Sequence, residues 1–245
     1  ARPVLSPVSC SESMTSILAI DTSTDACSVA LSGGNTVRVL LEHAPRRHNQ
    51  LLLGMLRELL PQGPGNLDAV AYGSGPGSFT GLRITASAAQ GICYAAQLPA
   101  LPVSTLAALV QSAIRLGLAG EGDWVLSTLD AHIGELYWGL YRVVDGLPQA
   151  ASAASACHPG ELVLPVKESL VAVGSGLHYL EQMPGNCRDL FSAVHGELLP
   201  SAEDILPLAQ RAFLAGEWQR AEAVCPVYVR DEVRWKKLAE QGPRG

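Results

Sequence analysis

Three short runs dominated by apolar and small residues, ILAID (17–21), ACSVALS (26–32) and TVRVLLEH (36–43), are separated only by TSTD and by the turn 33–35. Runs of this length joined by tight turns predict two successive hairpins and an antiparallel three-stranded start. From residue 48 the apolar spacing becomes helical and holds to residue 60, where Pro61 and the QGPGN loop end it. LDAVAYGSG (67–75) then reads as a buried strand, 80–96 as a helix, PALPV as a short strand and 104–118 as a helix with Ser104 as its N-cap.

This βββαβαβα order partly restarts. WVLSTLD (124–130) and GELYWGLYRVV (134–144) predict another hairpin, followed by an alanine- and serine-rich linker (148–156), a short helix near 159–163 and a strand at 170–173. Helices over 201–215 and 216–224 close the body, and PVYVRDEVRWKK begins a mixed-charge tail. Repeated meanders with βα units predict a duplicated α/β fold of the ribonuclease-H or actin type, with an abbreviated second lobe. The expected divisions are an N-terminal extension (1–13), an N-terminal lobe (14–107), a C-terminal lobe (108–225) and the tail (226–245).

Composition narrows the function classes. Of 245 residues, 48% are hydrophobic and 16% charged, which excludes a disordered chain. A net charge of −6 argues against holding nucleic acid by bulk positive charge, so any RNA contact must be local or made through a partner. The six cysteines (10, 27, 93, 157, 187, 225) are widely spaced, with no metal-ligand pattern, and read as free thiols in a reducing cytoplasm. Residues 84–114 carry no charge, but Gln90, Gln97, Pro99, Pro102 and Gln111 interrupt them, as in a buried βα segment and not a membrane span.

Two segments carry candidate chemistry. The turn DTSTDA places Asp21, Thr22 and Ser23 where backbone amides and hydroxyls can cradle phosphate or metal, although these residues also simply make good turns. GSGPGSFTGLR (73–83), with Gly75 and Gly77, could wrap an anion at a helix N-terminus, or its glycines could serve close packing. His48 heads a helix whose position four residues on is Leu52, so no paired metal ligand is expected there. The six histidines are scattered, and none lies in a recognisable nucleophile motif.

The helix from His48 has an apolar arc of about 200° at ~100° per residue, wider than packing on one sheet requires. The next helix carries Arg83 as its only charge, with small residues including Gly81, Ala86, Ala88, Ala89 and Gly91. Either both helices are sandwiched in a larger core or they present a surface to another protein. Two thin lobes have little core to spare, which favours a partner interface on Leu52, Met55, Leu56 and Leu59 together with Arg83, Ala86 and Gln90.

ILAIDTST, the His48 helix, DAVAYGSGPGSFTGLR, AAQGICYAAQLP and PVSTLAAL, with LDAHIGELYWGLY (129–141) and PVYVRDEVRWKK (226–237), resemble the bacterial TsaB (YeaZ) family. The resemblance is weak between residues 145 and 199. It implies an actin-like ATPase (ASKHA) fold and a non-catalytic scaffold that heterodimerises with TsaD, alongside the ATPase TsaE. That complex transfers threonylcarbamoyl from threonylcarbamoyl-AMP to the adenosine 3′ of the tRNA anticodon. It further implies no cofactor of the chain's own, with ATP, ADP or metal held by partner subunits. In TsaD an HxxxH pair on the helix matching His48 to Leu52 holds a metal, and leucine replaces the second histidine here. A weak homodimer on the same surface is expected when TsaD is absent. DAHIGE departs from the family's commoner DARMGE at His132 and Ile133. The alternative is an autonomous actin-fold enzyme, a phosphotransferase or peptidase. In the tail, Arg230, Arg234, Lys236, Lys237 and Arg244 outnumber Asp231, Glu232 and Glu240, so it either touches tRNA phosphates or is a solvated end.

Overall fold

The computed structural model describes residues 15–34 and 36–229. The N-terminal extension up to Met14 and the charged tail from Arg230 lie outside the described residues.

Strands β1 (Ile17–Asp21), β2 (Ala26–Gly33) and β3 (Thr36–His43) form the antiparallel start, and β4 (Ala69–Gly75) and β5 (Ala100–Ser104) add in parallel beyond β1, giving the order β3-β2-β1-β4-β5. The second sheet repeats this arrangement. Strands β6 (Trp124–His132), β7 (Glu135–Val144), β8 (Leu147–Ala150), β10 (Leu170–Val173) and β11 (Phe191–His195) run in the order β11-β10-β6-β7-β8, with β9 (Ser155–Cys157) also on β7.

In the first lobe α1 (His48–Leu59) and α2 (Phe79–Ala96) cover one face of the sheet. The equivalent connections of the second lobe hold only 3₁₀ turns at Pro159–Glu161 and Ser175–Gln182 and the four-residue α4 (Gly185–Arg188). This is the duplicated ribonuclease-H-like, actin-type fold with an abbreviated second copy.

The central strands β1, β4 and β10 are buried on both faces, since alternate residues of a strand point to opposite sides and all of theirs are buried. Leu18 and Ile20 meet α1 and α2, while Ile17 and Ala19 meet α5 (Ala202–Leu214). Helix α3 (Thr105–Arg115) follows the first sheet in sequence but places Leu106, Leu109 and Val110 against the second. Helix α5, which follows the second sheet, packs on the first. The division expected at residue 107 therefore falls inside α3. Between these exchanged helices, Arg115 donates to Asp204 from Nε at 2.7 Å and Nη2 at 3.0 Å, and Ser112 Oγ to the same carboxylate at 2.6 Å.

Three sequence expectations need correction. The stretch 148–156 is not a plain linker, since β8 and part of β9 lie in it, paired with β7. Strand β11 was not anticipated, its alternation in FSAVH being too short to stand out. Residues 216–224 are not a helix: Gly216 takes φ +74 after α5, Gln219 then pairs with Ala100 at the edge of β5, and only a 3₁₀ turn at Ala221–Ala223 follows. The charged tail starts beyond Tyr228, whose segment is tied down by the Val227 N–H donating to the Ser74 carbonyl at 2.7 Å.

Candidate functional site

A cleft of about 1070 Å³ opens between the lobes. The first hairpin turn (Ser23, Thr24, Asp25), the start of α1 (Arg46, His48, Asn49) and the start of α2 (Gly77, Ser78, Thr80) wall one side. Leu129, Asp130, His132 and Ser175 wall the other.

Of the residues expected to contact phosphate, Ser23 and Gly77 border this cleft, while Asp21, Thr22 and Gly75 do not. Asp21 and Thr22 are 1% and 0% exposed. The Thr22 N–H donates to Thr85 Oγ1 at 3.0 Å, its hydroxyl donates to the Gly81 carbonyl at 2.7 Å, and the Ser78 N–H donates to the Ser23 carbonyl at 2.7 Å. A Cβ on Gly81 would run into the Thr22 carbonyl, one on Gly77 into that of Ser23, and one on Gly73 into the Asp21 carboxylate. Gly75, at φ +120, packs under the carbonyl of Val227. These glycines serve close approach of the loop to the turn, and the Thr22 and Ser23 hydroxyls and the Ser78 N–H are engaged inside the protein. Burial pushes the Asp21 carboxyl up to about 6, against the lowering pull of hydrogen bonds from the Ser23 hydroxyl and backbone.

The second lobe repeats the device. A Cβ on Gly174 would meet the Thr128 carbonyl and one on Gly176 the Thr128 side chain, while Ser175 Oγ accepts from the Asp130 N–H at 3.0 Å. At the adjoining turn, His132 and Ile133 take φ of 58° and 59°, with the His132 N–H donating to Asp130 Oδ1 at 2.8 Å. Ile133 is 85% exposed, and a β-branched residue in this backbone region is strained.

The residues expected at a partner interface divide. Leu52, Met55, Leu56 and Leu59 are 2, 7, 8 and 3% exposed, packed on the first sheet and α2, and Ala86 is 6% exposed. They are core, packed within the lobe with little surface exposed. The wide arc of α1 reflects its position against both a sheet and a second helix. Arg83 and Gln90 are exposed on α2. The Arg83 guanidinium lies 3.8 Å over the Phe79 ring and its Nε donates to the Tyr228 hydroxyl at 3.2 Å, while Gln90 Nε2 donates to the Ala221 carbonyl at 3.1 Å.

The outer faces of these two helices carry Gly91, expected from the sequence to allow close helix approach, together with Gly54 and Tyr94, which the sequence reading did not single out. Leu53 is 61% and Tyr94 71% exposed, and Gly54 and Gly91 lie beside them on open surface. A Cβ at either glycine would meet nothing within 4 Å. Glycine inside a helix costs about 1 kcal/mol relative to alanine, and nothing in the chain itself requires it there. The visible signal in the sequence was Gly54 interrupting HNQLLLGML.

Among the described residues no group of three or more His, Cys, Asp or Glu side chains is placed to hold a metal ion, and no helix is long and apolar enough to cross a membrane.

The profile of the family described as TsaD, tRNA N6-adenosine threonylcarbamoyltransferase, matches residues 17–230. The tRNA threonylcarbamoyladenosine biosynthesis protein TsaB of Escherichia coli K12 is 40% identical over 230 residues, covering 91% of this chain and 97% of that protein. Its counterpart in Haemophilus influenzae is 34% identical, covering 91% and 96%. Among solved structures, YeaZ from Pseudomonas aeruginosa superposes with a TM-score of 0.81 at 40% identity, covering 88% of this chain and all of that one. Near-full-length identity on both comparisons, with the same duplicated fold, places the chain in the TsaB (YeaZ) family.

Proposed function

We infer that this chain is a non-catalytic subunit in the making of threonylcarbamoyladenosine in tRNA. It works in the cytoplasm by pairing with TsaD through the outer faces of α1 and α2, holding that partner in shape for threonylcarbamoyl transfer to the adenosine 3′ of the anticodon. TsaE completes the assembly, and tRNA is reached through the complex.

The observation that carries this reading is the pair of mid-helix glycines, Gly54 and Gly91, on open surface beside exposed Leu53 and Tyr94. Small residues let a second helix approach closely, and flanking large apolar residues supply the area to bury. Arg83, already held by Phe79 and Tyr228, adds a charged anchor that pays little ordering entropy on binding. Two further facts fit a subunit without chemistry of its own. The turn and loop that would cradle phosphate are closed on each other, and the position one turn after His48 is a buried leucine. ATP, ADP and metal then belong to the partner subunits.

The test is co-purification with TsaD followed by a transfer assay, with each subunit alone as control. Gly91→Leu improves helix propensity, so the variant should remain folded, yet it should fail to co-elute with TsaD and to support transfer. A complex that survives this substitution would sink the assigned surface, and product formed by this chain alone would favour the autonomous enzyme. Without TsaD, the same face should support a weak homodimer that Gly91→Leu also removes.

A further inference from the structure

Strand β3 leaves the outer edge of the first sheet open. Among the described residues it pairs with β2 alone, while at the opposite edge Gln219 covers the start of β5 through hydrogen bonds in both directions with Ala100. Just beyond β3 the Ala44 N–H donates to the Asp25 carbonyl at 2.9 Å. Counting back by twos along a ladder without a bulge, Glu42, Leu40 and Arg38 also bond to β2, so Val37, Val39, Leu41 and His43 turn their N–H and C=O groups outward. Open edges are commonly blunted by lysine, proline, a bulge or a short strand. Thr36–His43 has none of these over 8 residues, and its Val37 and Leu41 are 49% and 52% exposed.

The charges on this edge are spaced for self-pairing. Arg38, Leu40 and Glu42 share the α1 side of the sheet: Arg38 Nη2 donates to the Leu59 carbonyl at 2.6 Å, Leu40 packs in the α1 cluster, and Glu42 lies across from Cys27 of that cluster. Four residues apart on a strand, Arg38 and Glu42 stand about 13 Å from each other. Neither forms an ion pair among the described residues. An antiparallel second copy, with Leu40 opposite Leu40, places each Arg38 against the other chain's Glu42 and each Val39 against the other chain's Leu41. In that register the outward-facing groups of the two chains meet. A slip of two residues either way puts Arg38 opposite Leu40 or Ala44 and loses the charge match.

The geometry points to a docking edge for a second copy of this chain, with two β3 strands paired across a twofold axis at Leu40 and the two sheets joined edge to edge. The contact is isologous, and it uses a surface other than the outer faces of α1 and α2. One strand edge is small beside a standard interface of about 1,600 Å², so the association is weak.

Sedimentation of the full chain between about 10 μM and 1 mM, in roughly 50 mM salt to limit screening, tests the edge. Gly91→Leu serves as the background, because it removes any dimer formed through the helix faces and so separates this result from the fate of the TsaD surface. A dimer with Kd of about 10–500 μM is expected there. Arg38→Glu and Glu42→Arg each set like charges opposite one another at both ends of the contact and should weaken it by about tenfold or more. The double reversal restores opposite charges and should return the affinity to within about threefold of the background's. Arg38→Glu gives up the bond to Leu59 in the single and the double variant alike, so recovery cannot come from that bond. Leu41→Pro removes an N–H that faces solvent in the single chain, and circular dichroism should show a folded protein that no longer dimerises. A background chain that stays monomeric at about 1 mM would overturn the proposal. So would a dimer indifferent to these substitutions, or a double reversal no tighter than either single one.

Discussion

The Thr22 hydroxyl donates to the Gly81 carbonyl at 2.7 Å, and Thr85 Oγ1 lies 2.6 Å from the same hydroxyl oxygen. Since the single Thr22 proton is spent on Gly81, Thr85 is the donor in the second bond. The hairpin turn is thereby latched to the first turns of α2 in a site where all the groups are buried. The turn and loop expected from the sequence as a phosphate cradle are joined to each other by packing at Thr22, Gly81 and Thr85.

Gly81 and Gly91, ten residues apart on α2, should consequently respond to alanine with opposite signs. At Gly81 the added Cβ meets the Thr22 carbonyl, backbone that cannot swing aside, so Gly81→Ala should destabilise by about 1–3 kcal/mol or more. At Gly91 the space is open, and alanine should stabilise by about 0.5–1 kcal/mol through helix propensity. Urea unfolding of both variants measures this, and shifts of the same sign would contradict the joint.

Much of the fold was legible because the first lobe obeys local rules. Its hairpins have short turns, and both α2 and α3 begin at serines whose side chains accept from the N–H three residues on. The second lobe was less legible because its connections are 3₁₀ turns and short strands that only pairing with β7 and β10 defines. Four of the expected interface residues, Leu52, Met55, Leu56 and Leu59, lie in the core for a different reason. A hydrophobic arc shows that Leu52 and Met55 are buried, not what buries them. Here the second helix of the same lobe does so, which periodicity within a single helix cannot express.

The Arg115–Asp204 pair should be asymmetric under mutation. Asp204 has a side chain 1% exposed, whereas that of Arg115 is 38% exposed. Arg115→Ala strands a buried carboxylate, with Ser112 as its remaining side-chain donor, and should cost roughly 3–5 kcal/mol. Asp204→Ala leaves an arginine that can reach water and Glu203, and should cost less, about 1–3 kcal/mol. Denaturant midpoints in the reverse order would contradict this account of the contact between the exchanged helices.

Asp21 should give stability an unusual pH dependence. Its carboxyl is raised from 3.8 to about 6, chiefly by burial. Below about pH 4 it is protonated in both folded and unfolded chains. As pH rises from there through about 6, the unfolded chain releases the proton first, so the folded state loses stability, by roughly 3 kcal/mol in all. Asp21→Asn keeps the shape and the acceptor for the Ser23 N–H, and should gain on the parent as pH moves from 4.5 to 7.5. A constant difference between the two across that range would show that the carboxyl titrates normally.

Opposite faces of α1 should separate folding from partner binding. Met55 is 7% exposed, with the Cys27 thiol 3.8 Å from its sulfur, inside the cluster that joins α1, α2 and the first sheet. Met55→Glu buries a charge with no partner and should unfold or strongly destabilise the chain, so any loss of TsaD binding would be secondary. Leu53 is 61% exposed on the other side of the helix, beside Gly54. Leu53→Glu should leave the circular dichroism spectrum unchanged and the urea midpoint nearly so, because the new carboxylate stays in water until a partner covers it. Co-elution with TsaD should then be lost, since docking would desolvate that charge. A stable, folded Met55→Glu would refute the core assignment, and a Leu53→Glu variant that still co-elutes would place the contact elsewhere on the protein.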